Sequence, residues 1–383
     1  MPSALFVTTV PITLEAFLTP FADHFRAEGW RVDALANGAT THPSLDGHFD
    51  QRFDVAWSRN PLSPGNLLGT AAKVRNIVAT GGYDIVHVHT PIASFVTRYA
   101  LRELHEQPGA PVVIYTAHGF HFYSGQNPLS NALYRTVERS AAAWTDYLVT
   151  INREDFAAAQ ALGTIAPERV RYIPGIGVDT ERFAPGAVLA EDAAAVRADL
   201  GLAESDVAVT MVAELSRVKR HDLALDAIKR VTDPRVRLVF VGDGPLNGHL
   251  REWVFSLGLS ERVTFAGYRR DVPAVLAASD ALLLTSEREG LNRSVLEAMA
   301  SGIPVIGTET RGIADAVGTD AGWIVGHDDS ASLAAAIEAA ASDPAEAERR
   351  GAAGRSRACS EFALDIIVAA YDGLYHEALA QRL

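Results

Sequence analysis

The chain has 383 residues, 48% of them apolar and 21% charged, which suits about two ordinary globular domains. Its formal charge of −13 argues against a nucleic-acid binder, which needs phosphate-neutralising cations. The single cysteine, Cys359, excludes an intrachain disulfide and fits a reducing cytoplasm, and no apolar run approaches the ~18 residues needed to span a bilayer.

The N-terminal MPSALFVTTV enters a strand-like run without a basic leader, which argues against a secretory signal. In chain order ALFVTTV (4–10), RVDALAN (31–37), DIVHVHT (84–90), PVVIYTA (111–117) and DYLVTIN (146–152) read as strands, separated by helices over 14–28, 66–80, 92–106, 130–143 and 153–162. A Pro- and Gly-rich stretch, YIPGIGVDTERFAPG (172–186), interrupts the periodicity and marks a boundary. Beyond it VAVTMVAEL (207–215), RLVFVGD (237–243), RVTFAG (262–267), DALLLTS (280–286) and PVIGT (304–308) read as strands. Helices over 221–231, 246–257, 271–278, 292–301 and 330–342 lie between them. Continuous apolar strands alternating with helices predict parallel sheets covered on both faces. The fold class expected is therefore α/β, with two doubly wound Rossmann-like domains over 1–174 and 175–360. The last segment, 361–383, reads as an amphipathic helix with Phe362, Ile366, Ala370 and Leu374 on one face, able to pack back on the first domain. The first 175 residues carry 13 Lys+Arg against 15 Asp+Glu and the remainder 21 against 32, so the acidity sits in the second half.

Open α/β sheets bind ligands outside the carboxyl ends of their strands, and SEREGLNRSVLEAMASG (286–302) is one such corner. Asn292 is a good N-cap, Gly302 ends the helix, and Gly290 lets backbone amides approach a ligand closely. A helix N-terminus with free N–H groups suits a phosphate or diphosphate. Glu289 and Glu297, at most ~12 Å apart along a helical rise, suit hydroxyls on either side of it. Glu297, in an apolar stretch, would be costly without a partner, and a ligand hydroxyl supplies one. VGDGPL places Gly242 and Gly244 after a strand, for ligand approach or a tight turn. His87 and His89 share one strand face at a spacing compatible with a metal, but no third ligand is evident.

EREGLNRSVLEAMASGIPVIGT resembles the hallmark segment of the retaining glycosyltransferases of family 4, which adopt the GT-B fold. YTAHGFHFY (115–123), IPGIGVDTERF (173–183), VGDGPL (241–246) and FAGYRRDVPAVLAASDALLL (265–284) match the family in the expected order, most closely its capsule and exopolysaccharide subgroup. The resemblance implies two domains facing each other across a cleft. It assigns Glu289 to the transferred sugar and Glu297 to the ribose, with Gly290, Leu291 and Asn292 on the donor turn. Lys219 falls on the family lysine that neutralises the diphosphate. Glu214 occupies the family arginine position, a departure for which nearby Arg217 is the candidate substitute. Tyr268 and Arg269 lie in the base-recognition stretch, where main-chain atoms read the base. In the first domain His118 matches the histidine that contacts the transferred sugar or its phosphate. Thr9, Thr13, Gly119, His121 and Arg59 fall on the acceptor side. The segment 57–76, with Trp57, Arg59, Leu67, Leu68, Lys73 and Arg75, suits a membrane surface or an acidic lipid-linked acceptor, and equally a helix packing on its own domain.

The activity implied is transfer of a hexosyl or N-acetylhexosaminyl group from a nucleotide-diphosphate sugar, most simply a UDP-sugar. The acceptor would be a hydroxyl of a lipid-linked glycan or small molecule, with the anomeric configuration retained. No cofactor and no metal are expected, since no Asp-x-Asp pair lies on a suitable turn. The location expected is cytoplasmic, including the inner face of the cell membrane. Two alternatives stand beside it: a nucleotide-sugar epimerase on the same fold, and a non-catalytic nucleotide-sugar-binding protein, which the Glu214 departure keeps in view.

Overall fold

Two parallel sheets carry the protein in the computed structural model, which describes residues 1–58, 60, 63–105, 107–123 and 126–382. The first sheet contains β1 (Ser3–Val7), β2 (Arg31–Ala36), β3 (Arg52–Asp54), β4 (Ile85–His89), β5 (Val112–Ala117), β6 (Tyr147–Thr150) and β7 (Val170–Tyr172). Their spatial order is β3-β2-β1-β4-β5-β6-β7. The second contains β8 (Val207–Val212), β9 (Val236–Val241), β10 (Val263–Gly267), β11 (Ala281–Leu284), β12 (Val305–Thr308) and β13 (Gly322–Val325), ordered β10-β9-β8-β11-β12-β13. The strand order reverses between β1 and β4 and again between β8 and β11, and such switch points are where open α/β sheets place ligands. The chain divides into two units, Met1–Ile176 with Ile367–Leu383, and Gly177–Ile366.

The central strands are the continuous apolar runs: β1, β4, β5 and β11 are buried at every position, as strands covered on both faces require. The short edge strands β3, β7 and β13 were not anticipated, because three or four half-buried residues leave little periodic signal. Two strands stop sooner than their apolar runs. β8 ends at Val212 and β11 at Leu284, and the residues just beyond are loop instead: Ala213 half-buried, Glu214 exposed and Leu215 buried after β8, Thr285 and Ser286 both buried after β11.

The final helix, Leu364–Arg382, corrects one expectation. Its buried face is Ile367, Val368, Tyr371, Leu374, Tyr375 and Ala378, while Ile366 is 40% exposed. The predicted stripe was phased from Phe362, which precedes the helix and packs in the core of the second unit. Within the first unit, Tyr375 stacks on Phe25 at 4.5 Å and Tyr371 meets Phe21 edge-on at 5.2 Å. Among the described residues no helix is long and apolar enough to cross a membrane.

β5, which leads into His118, is anchored by a buried cation. Arg98 is 1% exposed, donates to Ser94 O at 3.2 Å and Glu138 Oε2 at 3.2 Å, and lies 4.1 Å from the Tyr115 ring centre. Breaking one partner of a buried pair leaves the other charge uncompensated. Arg98→Met is expected to destabilise the protein by about 3 kcal/mol, and adding Glu138→Gln should recover part of the loss, both read by chemical denaturation.

Candidate active site

In the second unit the site grows from the ends of β8 and β11, neighbours at the switch point. The β11 loop is held on three sides. Thr285 Oγ1 lies 2.9 and 2.8 Å from the carbonyl oxygens of Lys219 and Arg220 and donates its proton between them. The Glu287 amide donates to Val218 O at 2.8 Å. Thr308 Oγ1, on β12, donates to Ser286 O at 2.8 Å. From the far side Arg311 Nε donates to Glu289 O at 3.2 Å. Gly312 packs so closely that a Cβ there would stand 1.8 Å from Gly290 O.

The helix Arg293–Ala300 starts where the sequence placed it, and Asn292 caps it. Asn292 Oδ1 accepts from Ser294 N at 2.9 Å, Ser294 Oγ at 2.6 Å and Val295 N at 3.4 Å. The Asn292 side chain is therefore used by the protein itself. Among the described residues no group accepts from the amides of Gly290, Leu291 or Asn292. Three consecutive unpaired N–H groups before a helix N-terminus make an anion-binding concavity.

Beside it, Lys219 Nζ donates to Glu289 Oε1 at 2.6 Å, with the side chains only 19% and 12% exposed. The short turn Arg217–Lys219 delivers this lysine, and it closes on Arg220 in the left-handed region at φ 52. Arg220 is itself tied to Asp222 and Asp328. A lysine has three donors, so Lys219 can hold Glu289 and still offer two N–H groups to a phosphate. Arg217 and Glu214 are both exposed, and no described residue forms an ion pair with Arg217.

Glu297 corrects the premise that it lacks a protein partner. It is 6% exposed, yet Arg293, one helical turn earlier, donates Nε to its Oε1 at 2.7 Å. The i,i+4 spacing was readable in the sequence, and the pair is what such spacing produces. Burial pushes the Glu297 carboxyl up from its usual range, opposed by Arg293 and Arg182.

Gly242 and Gly244 are required by packing. Cβ atoms there would stand 2.0 Å from Ala213 O and 2.6 Å from Leu215 O, so both seat the β9 loop on the β8 loop. Arg269 is committed to Asp199 and Asp271, each at 2.5 Å, and Tyr268 is 72% exposed. The Arg269 guanidinium thereby fastens its turn.

In the first unit, His118 follows β5 and His89 ends β4. Their rings meet at His89 Nδ1–His118 Nε2, 3.0 Å, and Phe17 stacks on His118 at 5.9 Å. Phe17 belongs to a π-helical turn, Leu14–Leu18, an irregularity frequent at functional sites. His87 has both nitrogens occupied, Nδ1 by Tyr375 Oη at 2.5 Å and Nε2 by Thr116 Oγ1 at 2.8 Å, which leaves it no lone pair for a metal. Thr9 pairs with Thr90 through their hydroxyls at 2.7 Å, and Thr13 is half-buried at the helix start. Gly119 takes φ 137, open to glycine, and His121 rests on Tyr134 at 5.4 Å. Arg59 lies outside the described residues. Arg75 donates to Ala100 O and Glu103, and Leu68 is 70% exposed.

Sequence reasoning missed Thr285, Arg293 and Arg311, and weighed His89 only as a metal-spaced partner of His87. Only Arg293 had a usable signal, since the others act through contacts between loops distant in the chain.

Two outcomes follow. Burial lowers His87 to about 3, His118 and His221 to about 4, and His89 well below the ordinary 6.5. The folded state then binds fewer protons than the unfolded chain once pH falls below about 6.5, so stability present at neutral pH is lost on acidification. The expected slope is about 1.4 kcal/mol per pH unit for each such histidine between pH 6 and 4.5, and His221→Phe should flatten it in denaturation curves taken across that range. For the loop pair, Lys219→Met and Glu289→Gln should show a coupling of about 1–3 kcal/mol in a double-mutant stability cycle, whereas additive losses would mean the 2.6 Å contact is not made in solution.

Comparison with known proteins identifies the family and the fold. The model of the glycosyl transferases group 1 matches residues 192–357, and that of glycosyltransferase family 4 matches residues 14–182. EpsD of Bacillus subtilis (strain 168), named as a glycosyltransferase, is 35% identical over 358 residues, covering 92% of this chain and 91% of that protein. The UDP-Gal:alpha-D-GlcNAc-diphosphoundecaprenol alpha-1,3-galactosyltransferase of Escherichia coli is 32% identical over 235 residues, 60% of this chain and 59% of its own. Among solved structures, HepE of Anabaena in complex with UDP and glucose matches with TM-score 0.82 at 21% identity, over 98% of this chain and 100% of that one. The sucrose-phosphate synthase of Thermosynechococcus elongatus matches with TM-score 0.79 at 21% identity, over 100% of both chains. These structures share the two-domain GT-B fold with this chain. The chain belongs to the group 1, family 4 glycosyltransferases and is a glycosyltransferase.

Proposed function

We propose that the protein moves a hexosyl or N-acetylhexosaminyl group from a UDP-sugar to a hydroxyl of a lipid-linked glycan or small-molecule acceptor, with retention at the anomeric carbon. The observation that carries this reading is the set of unpaired Gly290–Asn292 amides beside the Lys219–Glu289 contact. Breaking a sugar–phosphate bond builds charge on the β-phosphate, and donors already aimed there stabilise it without reorganisation. The amides and the two remaining Lys219 donors meet that charge in place of a metal ion. Glu297, oriented by Arg293, accepts from the ribose hydroxyls, and Glu289 from the transferred sugar. No side chain stands out as an enzymic nucleophile, so the acceptor attacks from the face the nucleotide leaves. Support for a UDP-linked donor comes from HepE, whose complexes contain UDP and UDP-glucose. Support for a lipid-linked acceptor comes from the Escherichia coli relative, named for a diphosphoundecaprenol substrate.

The deciding experiment incubates the full chain with UDP-glucose, UDP-galactose and UDP-N-acetylglucosamine and candidate acceptors. Transfer with an α-linked product supports the proposal. An epimerised sugar formed without acceptor would favour the epimerase reading, and saturable UDP binding with no product would favour the non-catalytic reading suggested by Glu214. Glu297→Ala is expected to weaken UDP binding about tenfold or more, and Glu289→Gln to lower turnover about 10²-fold with the fold intact. Lys219→Ala and Arg217→Ala, compared for turnover, test whether the exposed Arg217 replaces the arginine that Glu214 displaces. Wild-type behaviour of Arg217→Ala removes it from that role.

A further inference from the structure

A neutral histidine carries one ring proton, and which nitrogen holds it is set by what the other nitrogen meets. His118 Nε2 meets His89 Nδ1 at 3.0 Å, so a single proton lies between them and has two assignments. If His118 donates, the His89 proton must sit on Nε2. If His89 donates, its Nε2 is a bare lone pair and the His118 proton sits on Nδ1.

The surroundings of His89 distinguish the two. The ring is 1% exposed and its Nε2 has no hydrogen-bond partner. The adjoining cavity of about 10 Å³ has walls of Phe6, Leu18, Phe21, Ile176 and the rings of His87, His118, Tyr371 and Tyr375. A water there needs two to four polar partners, and both nitrogens of His87 and the hydroxyls of Tyr371 and Tyr375 are already engaged. An orphaned buried N–H is rarer and costlier than an orphaned acceptor. The favoured arrangement therefore leaves His89 Nε2 bare and puts its proton on Nδ1, pointing at His118.

A second observation fixes His89 itself. Thr90, the next residue, adopts φ 62 and ψ 139, a strained conformation for a β-branched side chain. Its Oγ1 accepts from Thr9 N at 3.0 Å and donates to His89 O at 2.6 Å. The backbone carrying His89 is thereby clamped against the β1 turn.

We propose that His89 is a positioning residue: by donating Nδ1–H to His118 Nε2 it locks His118 into the tautomer that carries its own proton on Nδ1, an uncharged donor. His118 then offers a hydrogen bond to a sugar or phosphate oxygen and neither a positive charge nor a basic nitrogen. The depressed proton affinity of both rings keeps them neutral at physiological pH. The inference rests on the transferase reading only in that His118 must reach substrate.

The test uses the full chain with ¹⁵N-labelled histidine. Long-range ¹H–¹⁵N correlation spectra at neutral pH, with His118 assigned through His118→Gln, should show a protonated Nδ1 and a bare Nε2. His89→Leu should return His118 toward the Nε2–H form and lower kcat about tenfold with little change in KM, using the UDP-sugar turned over fastest and UDP release as readout. His89→Asn, whose amide puts an N–H near the Nδ1 position, should recover part of that loss. A wild-type spectrum with the His118 proton on Nε2 overturns the proposal without any variant, as do equal losses in folded His89→Leu and His89→Asn. Wild-type turnover in His118→Gln would instead overturn the place of His118 in the reaction, while the spectrum still decides the direction of the bond.

Discussion

The hydrogen bonds that tie the β11 loop to the β8 turn organise the candidate site of the second unit. Thr285 and the Glu287 amide address the carbonyls of Val218, Lys219 and Arg220, so the lysine and the amide-bearing loop are placed by one small set of contacts. Without them the ammonium and the unpaired N–H groups would be two flexible features. With them they form one preorganised, positively polarised surface, and preorganisation is what makes such donors effective. The Lys219–Glu289 contact sits on that scaffold and keeps a mostly buried carboxylate compensated.

The two units solve the same placement problem with different chemistry. In each, functional groups follow the strands flanking the reversal of strand order. The second unit spends charge there, in Lys219, Glu289 and Glu297. The first has hydroxyls and neutral rings: Thr9, Thr90, His89 and His118. Charge suits a leaving diphosphate, whereas uncharged donors and acceptors suit sugar hydroxyls, which reject no partner on electrostatic grounds.

Much of this was legible in the sequence. Continuous apolar runs gave the central strands, and the Asn292 cap and Gly302 bounded the helix that carries Glu297. What escaped was whatever depends on chain segments meeting in space. Gly242 and Gly244 read as serving either ligand approach or a tight turn, and each answers to a carbonyl of the neighbouring loop. Arg269 read as donor-binding, yet two carboxylates hold it. The phase of the last helix failed because Phe362, the residue it was counted from, belongs to a different core.

That last helix has a consequence for how the chain is made. The aromatic layer of the first unit is completed by Tyr371 and Tyr375, and the Tyr375 hydroxyl also partners His87. A ribosome releases the first 176 residues long before these tyrosines emerge. The N-terminal unit is thus begun before the second unit and closed after it, and until Tyr371 and Tyr375 emerge Phe21, Phe25 and Trp30 remain without the aromatic residues that cover them. A fragment ending at the boundary would be a permanent version of that nascent state, prone to self-association through an apolar face that the intact polypeptide hides.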